Sequence, residues 1–303
     1  MVNAIEVRDL HKSYGDLEAV RGVSFDVAEG EVLALLGPNG AGKTTIVEIL
    51  EGYRTRTAGD VQVLGMDPAH AGRSLRERIG IVLQSCDIDR YLTVAEVVQM
   101  HAEYYRRPRP VDEVIDLVGL AEKSDSRVKT LSGGQQRRLD VALGLVGDPE
   151  LLFLDEPTTG FDPSARRQSW DLVRNLAALG KTVLLTTHYM DEAQALAHRI
   201  VIISAGRIVA EGTPDTIGGR STDRTTVRFG LRDGVDLGEL PLAATRTEDG
   251  LYRFETDDVT ADLHTLTAWA IARGIRLDAL AVAPPSLEDV YLRLTAAHHE
   301  VAS

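Results

Sequence analysis

A chain of 303 residues, 44% hydrophobic and 26% charged, is long enough for one large or two modest domains with a real core. Its net charge of −13 opposes broad attraction to DNA, RNA or anionic lipid, so no nucleic acid partner is expected and any membrane association has to run through another protein. No apolar run approaches the ~18 residues of a membrane span, the start has neither a basic region nor an apolar signal core, and the single cysteine, Cys86, excludes an intrachain disulfide, all of which points to the cytoplasm.

Ile5 and Val7 alternate with Glu6 and Arg8, and Val23, Phe25 and Val27 alternate with Ser24 and Asp26, which predicts two antiparallel edge strands. Tyr14 lies between them. A tyrosine shortly before a phosphate-binding loop can stack on an adenine ring, worth ~1–3 kcal/mol per base, although by position alone an ordinary strand-end aromatic is the better reading.

The apolar run Val32 to Leu36 then leads into Gly37-Pro38-Asn39-Gly40-Ala41-Gly42-Lys43-Thr44-Thr45, which fits G-x-x-x-x-G-K-[ST] at every fixed position. A buried strand that enters a glycine-rich turn and leaves as a helix aims consecutive backbone N–H groups at one point, where a phosphate chain sits. Gly37, Gly40 and Gly42 allow positive φ and close backbone approach, and Lys43 reaches the β- and γ-phosphates. The Thr44 hydroxyl can ligate Mg2+, and Thr45 adds a further phosphate contact. A chance glycine-rich loop would lack the apolar helical positions Ile46, Val47, Ile49 and Leu50 that follow.

Gly59 to Gly65 and Ile79 to Gln84 predict two more strands, the second ending on a polar amide. From about residue 86 to 148 the pattern becomes helical. Thr93-Val94-Ala95-Glu96 is a capping box, and Val111, Val114, Ile115 and Val118 form a helical stripe. Tyr91, Tyr104 and Tyr105 in this insertion read as packing residues. Leu131-Ser132-Gly133-Gly134-Gln135 then opens another helix with Ser132 as its N-cap. The two glycines are either a mere turn or a second phosphate-directed helix end.

Leu151 to Leu154 form a buried strand that finishes on Asp155 and Glu156, suited to a parallel sheet covered on both faces. Acids at the carboxyl end of such a strand face a ligand crevice. Asp155 can hold Mg2+ through water, and Glu156 can polarise an attacking water. Val183 to Thr187 repeat the arrangement and end on His188, which by itself is as readily structural as a γ-phosphate sensor.

Gly37 to Thr44, Gln84, Leu131 to Gln135, Leu151 to Glu156 and His188 together resemble, in order and spacing, the ATP-binding cassette subunits of ABC transporters. Leu131-Ser132-Gly133-Gly134-Gln135 separates this family from other NTPases, and the resemblance runs from about Ile5 to Ile217. It implies an α/β P-loop NTPase fold with a parallel sheet core, antiparallel edge strands and a helical insertion. It also implies that Tyr14 stacks adenine, that Gln84 touches the metal and links the site to the membrane partner, and that His188 is the switch histidine. Ser132, Gly134 and Gln135 would face ATP bound to the opposite subunit of a homodimer that forms on ATP binding. Asp162 remains in Thr159-Gly160-Phe161-Asp162-Pro163, where Phe161 replaces the family's common leucine.

Gly218 to Asp223 read as a linker, dividing an ATP-binding domain (1–219) from a small α+β domain (220–303). In the latter Val227, Phe229 and Leu231 alternate, as do Tyr252 and Phe254; Leu263, Leu266 and Ala270 step helically, and Ile275, Leu277 and Ala279 alternate. Ser286-Leu287-Glu288-Asp289 caps a last helix. Pro285 to Tyr291 and His188 to Ala193 resemble ABC-2-type exporter ATPases, particularly the daunorubicin-resistance group. That resemblance implies a peripheral subunit on the cytoplasmic face of the membrane, paired with an integral permease that contacts the cargo; because Gln84 opens into the helical insertion, a groove around Ser85 to Leu92 is expected to receive a cytoplasmic helix of that permease. The cargo would be a drug, an antibiotic or a lipid-like molecule. An importer ATPase, or a soluble cassette protein of translation or DNA metabolism, are the alternatives.

Overall fold

The computed structural model describes residues 2–82, 88–219, 224–231, 240–247, 249–283 and 286–301, without the side chains of 164 and 295–301. Two compact units divide the chain, residues 1–214 and 215–303.

In the first unit β1 (Asn3–Tyr14), β2 (Leu17–Ala28) and, after β3 (Val32–Leu36) and α1 (Lys43–Leu50), β4 (Ala58–Val63) form an antiparallel sheet of order β2-β1-β4. The chain continues through α2 (Pro68–Arg76), β5 (Ile79–Val82), α3 (Val94–Ala102), α4 (Val111–Leu117), α5 (Gly133–Leu145), β6 (Leu151–Asp155), α6 (Pro163–Ala178), β7 (Thr182–Thr187), α7 (Met190–Leu196), β8 (Arg199–Ser204) and β9 (Arg207–Gly212). Its main sheet has the order β5-β6-β7-β3-β8-β9, parallel through β8 and closed at one edge by antiparallel β9. Every residue of β3 and β7 is buried, as a strand covered on both faces requires. Because β6, β7 and β3 are neighbours, three carboxyl ends meet: Asp155 pairs with Thr186, and Thr187 with Leu36. The residues that follow those strands are Glu156, His188 and the phosphate loop.

Thr93 and Glu96 cap α3 reciprocally, as their spacing predicts. Tyr105 packs on Gly147, but Tyr91 and Tyr104 are largely exposed, contrary to the expectation that all three pack. Their aromatic type reflects neighbours on the surface: Lys129 Nζ lies 4.8 Å from the Tyr91 ring centre, and His101 is edge-on to Tyr104.

α5 lies against β5 through two glycines. A Cβ on Gly80 would sit 2.2 Å from the Gly144 carbonyl oxygen and 2.7 Å from Leu152 Cδ2, so the helix and strand backbones meet with no room for a methyl group. Gly80→Ala is therefore expected to destabilise the first unit by about 1–3 kcal/mol or more. Thermal unfolding checks this, and an unchanged midpoint would contradict the close approach.

The second unit contains β10 (Thr225–Gly230), β11 (Thr245–Arg246), β12 (Tyr252–Thr256), α8 (Val259–Ala272), β13 (Asp278–Ala283) and α9 (Leu287–Val301). Its antiparallel sheet runs β11-β12-β10-β13, and Val227, Phe229, Tyr252, Phe254, Leu266, Trp269 and Ala270 form the core. Ser286 and Asp289 exchange the expected capping bonds. The last strand begins later than the alternation of Ile275, Leu277 and Ala279 suggests. Gly274, at φ +64°, closes α8 by donating to the Ile271 carbonyl, and Ile275 donates to that of Ala270. Ile275 and Leu277 pack on the core from this helix end rather than from a strand.

Candidate nucleotide-hydrolysis site

The phosphate loop owes its shape to two different uses of glycine. Gly40 and Gly42 adopt φ of +79° and +102°, the left-handed region that favours glycine. Gly37 has no positive φ, and its requirement is spatial, since a Cβ there would lie 2.3 Å from the Ile203 carbonyl oxygen. Lys43 is buried, and its ammonium donates to the carbonyls of Gly37 at 2.8 Å and Pro38 at 3.1 Å. Burial holds its pKa below the usual lysine value, while the charges of Glu156 and Asp155 oppose that shift, so the cation and both carboxylates belong to one electrostatic site. Tyr14 ends β1, partly exposed, with Lys12 Nζ 4.9 Å and the Arg54 guanidinium 5.2 Å from its ring centre. β2 backs onto the loop, the Ala19 carbonyl oxygen standing 2.6 Å from where a Cβ on Gly42 would be.

Asp155 accepts a bond from the Thr186 hydroxyl. Glu156 has φ +44°, a left-handed conformation that costs a non-glycine residue on the order of 1–3 kcal/mol. Its backbone N–H donates to the Thr186 carbonyl and hydroxyl oxygens, both at 3.1 Å, which holds the strained turn in place. Its side chain is held at both oxygens: His188 Nδ1 lies 3.1 Å from Oε1, and the Thr159 hydroxyl donates to Oε2 at 3.0 Å. The His188 ring lies against that of Tyr189, tilted by 40° with centres 4.1 Å apart, and the Tyr189 ring centre in turn lies 4.3 Å from the Arg166 guanidinium.

Ser132 and Gln135 cap α5 reciprocally, which occupies both side chains and leaves Gly133 and Gly134 as bare backbone at the helix N-terminus. Asp162 Oδ1 accepts from the Ala165 N–H, and this caps α6. The two helix ends share a cleft of about 430 Å3, lined by Ser132, Gly134, Arg138, Phe161, Asp162 and Gln168 among others and by no residue of the phosphate loop. The structure therefore gathers the loop, Asp155, Glu156 and His188 at adjacent strand ends, and puts Ser132, Gly134, Gln135 and Asp162 around a separate cleft. Gln84 and the other residues of 83–87 lie outside the described residues.

Arg137, Thr158, Thr159, Thr186 and Glu192 were not singled out by their sequence pattern. Arg137, buried, donates to the carbonyls of Asp155 at 3.2 Å and Pro157 at 3.1 Å, tying α5 to the acidic strand end. The threonine hydroxyls donate to acids distant from them in the chain or on the next turn, and Glu192 lies one position before Ala193 and four before Leu196 on the buried face of α7, which is the one local signal that could have marked it.

The profile of the ABC transporter family matches residues 20–159, and that of the ABC transporter domain-containing protein-like C-terminal domain matches 225–286. The chain is 40% identical to the Nod factor export ATP-binding protein I of Rhizobium meliloti (strain 1021), over 96% of this chain and 88% of that protein. The chain belongs to the ABC transporter family. It is also 39% identical to the daunorubicin resistance ATP-binding protein DrrA3 of Streptomyces coeruleorubidus, over 96% of each chain. A dimeric ATP-binding cassette in a post-hydrolysis state, bound to ADP and phosphate, is 25% identical with a TM-score of 0.61, over 69% of this chain and 98% of that one. This ABC subunit is thus an ATPase of the exporter group with the P-loop NTPase fold, and its relatives lend no support to an importer or to a translation or DNA protein. ABC cassettes dimerise and pair with membrane permeases. Among the described residues no helix is long and apolar enough to cross a membrane.

Proposed function

We propose that this ABC ATPase works as an ATP-dependent homodimer on the cytoplasmic face of the membrane, powering an ABC-2-type permease that exports a drug, an antibiotic or a lipid-like molecule. The names of the relatives, Nod factor export and daunorubicin resistance, support the cargo class. In this reading residues 1–219 carry the nucleotide chemistry, 220–303 support assembly, and the permease contacts the cargo.

Tyr14 stacks the adenine, residues 37–45 cradle the phosphates, and Lys43 exchanges its bonds to the loop carbonyls for phosphate oxygens. Glu156, fixed at both oxygens, polarises the attacking water, and His188 senses the γ-phosphate from the other side of that carboxylate. Thr44, Gln84 and, through water, Asp155 would hold Mg2+. The hydroxyl and the carboxylate are both hard oxygen donors, and Asp155 is already oriented by Thr186, so the residues present fit this ion. When bound, Mg2+ neutralises charge that develops between the β- and γ-phosphates.

The observation that carries the dimer is the separation of the two phosphate-directed helix ends, since the cleft at Ser132 and Gly134 holds nothing from the phosphate loop. A second copy must supply that loop, and ATP then closes the interface. Gly134→Asp brings a negative charge against the γ-phosphate without disturbing the fold, because the nearest atom to a Cβ there is Ala165 Cβ at 3.9 Å. Gly134→Asp chains and Lys43→Ala chains should each fail to dimerise on ATP. Mixed, they should form heterodimers in which one site pairs an intact loop with an intact Ser132–Gln135 stretch. Size exclusion with ATP reads this directly; no dimer in the mixture, where wild type dimerises, would defeat the shared site.

A further inference from the structure

Glu192 lies on α7, four positions after His188, with no exposed surface. Its Oε1 accepts two bonds, from the Thr158 hydroxyl at 2.8 Å and from Trp170 Nε1 on α6 at 3.3 Å. Burial pushes its carboxyl above the usual glutamate range, and the hydrogen bonds from Thr158 and Trp170 oppose that shift. Oε2 is buried as well and has no hydrogen-bond partner among the described residues. A leucine would fill this apolar position without the cost of desolvating a carboxyl, so what the acid contributes is direction.

That direction points at Glu156 from two sides. Thr158, itself fully buried, adjoins Thr159, whose hydroxyl donates to Glu156 Oε2. Thr187 adjoins His188, whose Nδ1 meets Glu156 Oε1, and the Thr187 hydroxyl accepts from the Tyr189 N–H at 3.0 Å. Glu192 therefore bonds to the neighbour of Thr159 and, four positions after His188, ties α7 to α6 through Trp170.

We propose that Glu192 is a positioning residue for ATP hydrolysis: it anchors Thr158 and the start of α7 so that Thr159 and His188 keep the Glu156 carboxylate aimed at the attacking water. This rests on the reading of Glu156 given above. A carboxylate set slightly off its line loses turnover without losing ATP, because the phosphate contacts belong to another loop.

The test is steady-state ATP hydrolysis by the full chain, with melting temperature recorded for each variant. Glu192→Leu should lower kcat by ~10–100-fold with the KM for ATP within ~3-fold of wild type. Glu192→Gln, whose amide oxygen accepts the same two bonds, should restore kcat to within ~3-fold of wild type. Leucine leaves two buried donors unpaired, so if that variant melts early the decision passes to Thr158→Val, which removes the hydroxyl at nearly constant shape and should lower kcat in the same way. Wild-type kcat in both Glu192→Leu and Thr158→Val overturns the proposal, as does a raised KM at unchanged kcat or a Glu192→Gln variant as slow as the leucine one. Glu156→Gln separates the two readings. If it is slow while the Glu192 and Thr158 variants are not, positioning alone is wrong; if it turns over at the wild-type rate, the role of Glu156 is wrong and the proposal falls with it.

Discussion

Glu156→Gln is expected to lower ATP turnover by ~10²–10⁴-fold while leaving ATP affinity unchanged. The carboxylate follows Asp155 at the end of a buried strand and meets His188 and Thr159. It carries a backbone strain that glutamine must also adopt, at φ +44°, so the substitution changes the charge and basicity of the group and not the path of the chain. The glutamine oxygen still accepts a hydrogen bond, and residues 37–45, proposed to hold the phosphates, are untouched. A weak base cannot draw the proton from water in the transition state, and the loss appears in kcat. Turnover at saturating ATP, set beside an equilibrium titration of ATP, checks both halves. A rate within ~3-fold of wild type would remove Glu156 from the chemistry.

The second large effect concerns stability and pH. Glu51, at the end of α1, is 4% exposed, and its carboxyl is pushed up to about 8, first by burial and then by the charges of Asp155 and Glu48. Among the described residues no side chain donates to it. Below pH 4.5, the ordinary value, Glu51 is neutral folded and unfolded alike. Between 4.5 and about 8 the unfolded chain ionises there while the folded one keeps its proton, so the native state binds more protons and stability falls as pH rises. Above about 8 the loss is complete, roughly 3–5 kcal/mol for a shift of this size. Glu51→Gln should therefore stabilise nucleotide-free protein strongly at pH 8 and hardly at all at pH 4.5. Denaturant midpoints of the first unit at both pH values test it, and an equal gain at both would show that shape rather than charge is at issue. Because α1 begins at Lys43, the same burial bears on how firmly the phosphate loop is seated.

Sequence alone determined what depends on consecutive residues. The phosphate loop, the caps at Thr93, Ser132 and Ser286, the buried runs of β3, β6 and β7 and the alternation of Val227, Phe229, Tyr252 and Phe254 were legible because each is encoded within a few positions by period, capping chemistry or glycine conformation. The family resemblance rested on such local stretches too, and the relatives agree with it. Tertiary structure decided everything that needs a partner distant in the chain. The order β5-β6-β7-β3-β8-β9 makes neighbours of Glu156, His188 and the loop, and no periodicity specifies strand order. Gly37 proved necessary because of the Ile203 carbonyl and Gly80 because of that of Gly144, contacts invisible until the backbones meet. Arg137 binding the Asp155 carbonyl and Glu192 receiving Thr158 and Trp170 were missed for the same reason. A hydrogen bond across 18, 22 or 34 positions leaves no mark in composition or spacing, and burial alone turns such a pair of polar groups from solvated surface into a fixed part of the site.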